Sequence, residues 1–159
     1  MKEIMEILES DARATPERIS TMTGIPLAEV KKVISEAEKN HTIVKYKAMI
    51  NWQKVGDEHV WAIIEVRIQP QRNVGFDAVA ERIYRFPEVR SAYLVSGTYD
   101  LAVFVAAKTM QEVASFVSQR LAPLEGVQGT ITHFLLKRYK EDGEILDVKE
   151  EDKRLPLTM

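Results

Sequence analysis

Leu94-Val95-Ser96-Gly97-Thr98-Tyr99-Asp100 runs straight into Leu101-Ala102-Val103-Phe104-Val105-Ala106-Ala107. The apolar runs Val89 to Ser96 and Tyr99 to Ala107 have strand composition, and Gly97-Thr98 between them predicts a tight turn joining two antiparallel strands. Upstream, Phe76, Val79, Ala80 and Ile83 lie on one helical stripe. Before that stripe, Ala62, Ile64, Val66 and Ile68 alternate strictly, as a half-buried strand does, while Trp61 and Ile63 add apolar character to the other face. Downstream, Thr109-Met110-Gln111-Glu112 has the pattern of a capping box. It opens a helix with Val113, Phe116, Val117 and Leu121 on one face, closed by Pro123. A long strand from Val127 to Tyr139 completes the order β-α-β-β-α-β, the ferredoxin-like arrangement.

In that arrangement two helices cover one face of an antiparallel sheet, and the other face meets water unless a partner covers it. Leu101, Val103 and Val105 alternate with Ala102, Phe104 and Ala106, so both faces of this strand are apolar. The expectation is a homodimer, sheet face against sheet face.

The first fifty residues have a different grammar. Ile4, Met5, Ile7 and Leu8 recur at helical spacing, and a second helix opens with Thr15 as N-cap, Pro16 at its first position and Glu17 at its positive end. Gly24 stops it, and Pro26 starts a third helix striped by Leu27, Val30, Ile34 and Ala37. Two helices across a glycine-containing turn make a helix-turn-helix. Asn40 and His41, which tolerate positive φ, end the third helix, and Ile43 to Ile50 alternates as a strand that would form a wing. The predicted class is therefore α+β: a winged helix-turn-helix over 1–50, a linker over 51–58, a ferredoxin-like domain over 59–143 and a charged tail over 144–159.

Composition is that of a soluble globular chain, with 45% hydrophobic and 29% charged residues in 159. Without cysteine there is no disulfide framework and no thiolate site, which suits a reducing cytosol. No run approaches the roughly 18 apolar residues of a membrane span, and Met1 to Ser10 carries three glutamates where a signal peptide needs a basic end. A cytoplasmic location is expected. The net charge is −2; Met1 to Val55 holds nine Lys/Arg against eight Asp/Glu, or +1, which leaves −3 for the rest. Any anion-binding face must therefore be local.

Four segments carry a family resemblance that spans nearly the whole chain: Ile7-Leu8-Glu9 through Ala12-Arg13, Thr23-Gly24-Ile25, Ile43 to Asn51, and above all Leu94 to Asp100. In this element order the chain resembles the Lrp/AsnC (feast/famine) regulators, which join a winged helix-turn-helix to a ferredoxin-like ligand-sensing domain. The resemblance implies a transcriptional regulator that binds double-stranded DNA, is modulated by an amino acid or related metabolite, and assembles as a homodimer and then into higher oligomers. Departures from the family pattern fall on the third helix. Its usual small polar cap, central arginine and terminal glycine are replaced by Pro26, Val33 and His41. An alternative is thus a metabolite-binding oligomer whose DNA affinity is weak or lost.

Two groups of residues are singled out. On the third helix, the face opposite Leu27, Val30 and Ile34 presents Ala28, Lys31, Lys32, Ser35 and Lys39, with lysines suited to phosphates and small residues allowing close approach to a groove. Lys45 and Lys47 on the wing would add backbone contacts. The competing reading is a solvated amphipathic face on which Glu29, Glu36 and Glu38 balance the lysines. The second group is Ser96, Gly97, Thr98, Tyr99 and Asp100, near which the resemblance places an effector. Its backbone groups suit a carboxylate and Asp100 an ammonium, although Gly97 and Asp100 equally suit a turn that only needs positive φ and a cap. Gln69 to Asn73 is a lesser candidate for the same pocket.

His41, His59 and His133 have no helical i, i+4 partner, so no metal site is expected. The sequence contains no P-loop, dinucleotide fingerprint or nucleophile elbow, so no cofactor and no catalytic residue is expected either; a small ferredoxin-like enzyme would need a constellation this chain lacks. Trp52 and Trp61 flank the linker and are expected to pack there.

Overall fold

The computed structural model describes residues 1–56, 59–69 and 75–147. The chain divides into one compact unit over Met1–Ile50 and a second from Asn51 onward.

In the first unit, α1 (Lys2–Ser10), α2 (Pro16–Thr23) and α3 (Leu27–Lys39) bury Ile4, Leu8, Ala14, Ile19 and Val30 against one another. Each large side chain fully buried here contributes roughly 1.5–3 kcal/mol. The helix boundaries follow local chemistry. Thr15 Oγ1 accepts from Arg18 N at 3.2 Å, and Pro16 occupies the first turn, where its missing N–H costs nothing. Gly24 ends α2 at φ 72, in the left-handed region. The turn is then locked by side chains: Ser20 Oγ donates to the Ile25 carbonyl at 2.6 Å, while Thr23 Oγ1 donates to Ile19 O and accepts from Ile25 N. Past α3, His41 takes φ 59 as expected, whereas Asn40 stays at φ −92.

The expected wing strand is not formed. Residues 44–50 pair with no strand among the described residues, and Val44, Tyr46, Met49 and Ile50 are all exposed. Only Ile43 of this run packs on the core; its N–H donates to Ala37 O. Alternating, β-prone residues dictate an extended backbone, but a ladder needs a second strand, which periodicity cannot supply.

The second unit holds a four-stranded antiparallel sheet in the order β2-β3-β1-β4, from β1 (Val60–Ile68), β2 (Val89–Leu94), β3 (Leu101–Ala107) and β4 (Val127–Phe134). A single helical turn, α4 (Trp52–Val55), precedes it, and α5 (Phe76–Tyr84) and α6 (Met110–Phe116) make the two crossovers. The register Ala62↔Val105, Ile64↔Val103 and Val66↔Leu101 puts six buried residues on one face, where Val79, Ile83, Val113, Phe116 and Leu121 cover them. The ferredoxin-like order is confirmed.

Four local expectations are corrected. The connection from β2 to β3 is not a two-residue turn: β2 stops at Leu94 and β3 starts at Leu101, because Asp100 is drawn across to β1. The helix from Met110 does not continue as an α-helix to Leu121; Val117–Leu121 is a π-helical turn, closed by Ala122 N donating to Val117 O at 2.8 Å. β4 ends at Phe134, five residues short of the Tyr139 expected, because β1 begins at Val60 and offers no further edge beyond Leu135 N bonding to Trp61 O. Finally, the domain does not stop at Gly143. A hairpin of β5 (Lys140–Glu141) and β6 (Glu144–Ile145) turns through Asp142 at φ 46 and Gly143 at φ 86, the geometry that Asp-Gly favours. Asn51 Nδ2 then donates to Leu146 O at 2.9 Å, joining the start of the unit to the strand end of its hairpin. The rest of the expected tail, and all of the Gln69–Asn73 candidate but Gln69, lie outside the described residues.

The sheet face away from the helices carries Trp61, Ile63, Phe104, Tyr93 and Ile131, with Tyr93 set edge-on to Phe104 at 5.9 Å. Across its middle, a ring nitrogen of His133 lies 3.0 Å from Glu65 Oε1. Tyr93 and Ile131 are about half exposed, but Ala102 and Ala106 are buried by their larger neighbours. Trp52 and Trp61 do not share a packing site: Trp52 meets His59 edge-on, and Trp61 lies beneath the Arg138 guanidinium. Among the described residues, no helix is long and apolar enough to cross a membrane.

Candidate functional site

On α3 the apolar stripe turns Val30 and Ala37 into the core, which leaves Ala28, Lys31, Lys32, Ser35 and Lys39 exposed on the other side. The helix therefore displays the expected row, but two of its lysines have carboxylate neighbours. Lys31 Nζ is 3.0 Å from Glu17 Oε1 on α2, and Lys32 Nζ is 3.9 Å from Glu36. The hydrogen bond from Lys31 holds the Glu17 carboxyl below its ordinary value of 4.5. Lys45 and Lys47 are exposed on the extended segment that follows. That segment is tied back to α3 by Tyr46, whose hydroxyl donates to Glu38 Oε1 at 3.0 Å. Burial and this hydrogen bond together push the phenol above 10.0.

At the other candidate, Ser96, Gly97 and Thr98 are exposed at the tip of the connection, while Tyr99 and Asp100 are half-buried at its base. Asp100 is fixed three times: its N–H donates to Val66 O at 3.0 Å, its carbonyl accepts from Val95 N at 2.9 Å, and its Oδ2 accepts from Ile68 N at 2.7 Å. The cap supplied by Asp100 therefore serves β1, not its own turn. Beside it the sheet register slips between Arg67 and Ile68. Gly97 takes the positive φ expected of it, 158.

These two surfaces sit in a chain whose residues 61–145 match the model of the Lrp/AsnC ligand binding domain. Its sequence is 52% identical over 154 residues to YugG of Bacillus subtilis, described as an uncharacterized HTH-type transcriptional regulator, covering 96% of this chain and 93% of that one. This chain belongs to the Lrp/AsnC family. Solved structures agree on the fold: LrpA, the leucine response regulatory protein of Mycobacterium tuberculosis, superposes with a TM-score of 0.74 at 21% identity, over 91% of this chain and 96% of that one. A transcriptional regulator of Neisseria meningitidis, solved as a complex with L-Met, gives 0.67 at 23% identity, over 87% and 89%.

This Lrp/AsnC chain also contains a feature that its sequence did not announce. A cavity of about 490 Å3 opens between the far end of β3, the start of β2 and the helical face of α6 with its π turn. Its walls include Glu88, Arg90, Lys108, Phe116, Gln119 and Arg120. Arg120 pairs with Glu88 Oε1 and lies 4.5 Å over the Phe86 ring. The register of β2 slips between Val89 and Ser91, so Arg90 is the extra residue of a bulge. Neither the bulge nor the π turn has a residue signature, and only the lone arginine in the apolar run before Pro123 could have hinted at the site. Among the described residues, no three His, Asp or Glu side chains are placed to hold a metal ion.

Proposed function

We propose that this Lrp/AsnC member regulates transcription by binding duplex DNA through the α3 helices of paired chains, with affinity or assembly set by an amino acid held near residues 96–100. The observation that carries the reading is the exposed row Ala28, Lys31, Lys32, Ser35 and Lys39 on the second helix of a helix-turn-helix. Such a helix enters the major groove, where small side chains approach base edges and lysines meet phosphates. Lys45 and Lys47 extend the contact to the flanking backbone.

Residues 1–50 act in this scheme as the DNA-binding domain, and the second unit, from Asn51 through the β5–β6 hairpin, as the sensing and oligomerising domain. The half-exposed Tyr93 and Ile131, with the partly buried Phe104 beside them, favour a homodimer through the open sheet face, and further assembly of dimers brings 96–100 of one against another. The regulator from Neisseria meningitidis crystallised with L-Met supports an amino acid as the effector. The protein works in the cytoplasm, and its chemistry is recognition, not turnover. A second reading, a metabolite-binding oligomer with little DNA affinity, is favoured by one observation: Lys31 and Lys32 already face Glu17 and Glu36.

Binding of the whole protein to DNA from its own upstream region, across a salt series and with each amino acid in turn, tests the proposal. Tight binding that weakens steeply with salt and changes with one amino acid supports it. Affinity no better than for random DNA selects the second reading.

A further inference from the structure

The cavity beside α6 is built from three irregularities that have no role in holding the sheet together. The first is electrostatic: Glu88 gives one oxygen to Arg120, but its Oε2 is buried and no described protein donor reaches it. A buried carboxylate oxygen without a donor has lost its hydration with nothing in return, so its retention needs an explanation. The second is the bulge at Arg90, which breaks the β2 ladder and turns this side chain into the cavity wall. Bulges gather where a strand must re-aim a side chain. The third is the π turn over Val117–Leu121, which brings Gln119 and Arg120 to the same wall. Such turns cluster at functional positions because they cost hydrogen-bond geometry.

Charge then sets the ligand. Arg120 is neutralised by Glu88 and held over the rings of Phe86 and Phe116. Glu112 accepts from Lys108 N, which leaves it serving the start of α6. Among the described residues, neither Arg90 nor the Lys108 ammonium pairs with a carboxylate. One wall thus offers an acceptor that lacks a donor, and the rim offers cations that lack an anion.

We propose that this cavity binds a zwitterionic metabolite of amino-acid size, whose ammonium donates to Glu88 Oε2 and whose acid group is held by Arg90 and Lys108. The volume lies within the roughly 300–1,000 Å3 of small-molecule sites. It is distinct from the turn at 96–100, since Asp100 and Ala106 are six strand positions apart, roughly 20 Å at about 3.4 Å per residue. The site does not rest on DNA binding or on the turn.

The test uses full-length protein in an Asp100→Asn background, which removes the anionic partner at the turn while an amide oxygen still accepts from Ile68 N. Titration calorimetry with each of the twenty protein L-amino acids is expected to find at least one that binds. Its affinity falls tenfold or more on adding Glu88→Gln, and likewise on adding Arg90→Ala, an exposed residue whose loss leaves the fold intact. Putrescine, which has the amine alone, and propionate, which has the acid alone, bind at least tenfold more weakly than that amino acid. Absence of binding by all twenty, a fall of less than tenfold in either variant, or putrescine or propionate binding within tenfold of the amino acid overturns the proposal.

Discussion

Lys31 Nζ lies 3.0 Å from Glu17 Oε1, so the first lysine of the exposed α3 row is held by a carboxylate of the neighbouring helix. Both side chains are more than half exposed, and water weakens the pair. DNA phosphate must displace Glu17, and the displaced glutamate then sits close to the phosphate it yielded to. Glu17→Gln is expected to tighten DNA binding about two- to fivefold, the range of exposed ion pairs. Lys31→Ala weakens it and lowers the salt slope by about one. Equilibrium binding in a salt series reads both.

The same pair has a defined acid limit. The folded Glu17 carboxyl titrates below its ordinary 4.5, so the stability it adds is present above that value and is lost as pH falls through the depressed folded value. Carboxyl chemical shifts followed by NMR are expected to show Glu17 among the last glutamates of the first unit to protonate, and to lose that distinction in Lys31→Ala.

Tyr46 sets the matching limit at high pH. Its phenol is raised above 10.0 by burial and by the bond to Glu38, so the contribution is complete below the unfolded value and disappears as pH rises through the folded one. The phenolate absorbance of the native protein, minus that of Tyr46→Phe, is expected to rise later than that of a free tyrosine. At neutral pH the substitution costs about 0.5 kcal/mol, at the low end for a hydrogen bond because Tyr46 is 43% exposed.

Two glycines separate backbone strain from crowding. Gly24 stands at φ 72 with nothing within 4 Å of the place a methyl group would take, so Gly24→Ala costs about 1–2 kcal/mol of left-handed strain alone. Gly126, at φ 93, would place a Cβ 2.8 Å from Val79 Cγ2. Gly126→Ala adds overpacking to the strain, about 2–4 kcal/mol in all. Urea denaturation of the two variants is expected to rank them in that order.

Asp100 is a tie before it is a ligand. Asp100→Ala strands the Ile68 N–H and is expected to cost about 1.5–3 kcal/mol, whereas Asp100→Asn retains an acceptor and costs less. If the turn holds an amino acid, both variants lose that binding. Thermal melts with and without amino acids separate the structural loss from the ligand loss.

The elements that local chemistry specifies were legible in the sequence. Thr15-Pro16 and Gly24 bracket α2, the period-two run from Ala62 to Ile68 gives the buried face of β1, and Thr109 with Glu112 opens α6. Even there the capping box is displaced by one residue: Glu112 accepts from Lys108 N and not from Thr109 N. What was hidden depends on partners far along the chain. The run from Ile43 to Ile50 reads as a strand yet finds no ladder among the described residues, and β4 stops where β1 runs out. The Asp142-Gly143 hairpin was readable by its turn residues and was hidden by its charged surroundings. The exposed row on α3 was legible as a face, but its pairing with Glu17 required the angle between two helices, which no periodicity encodes.

The bond from Asn51 to the Leu146 carbonyl has a mechanical meaning. The described part of the second unit starts and finishes at the same place, so its chain forms a closed circuit fastened by one side chain. Tension arriving along the polypeptide at residue 51 meets that clasp before it reaches any strand of the sheet. A unit closed in this way is portable: it can follow a different N-terminal partner, or be reopened elsewhere by circular permutation, with its strand order unchanged.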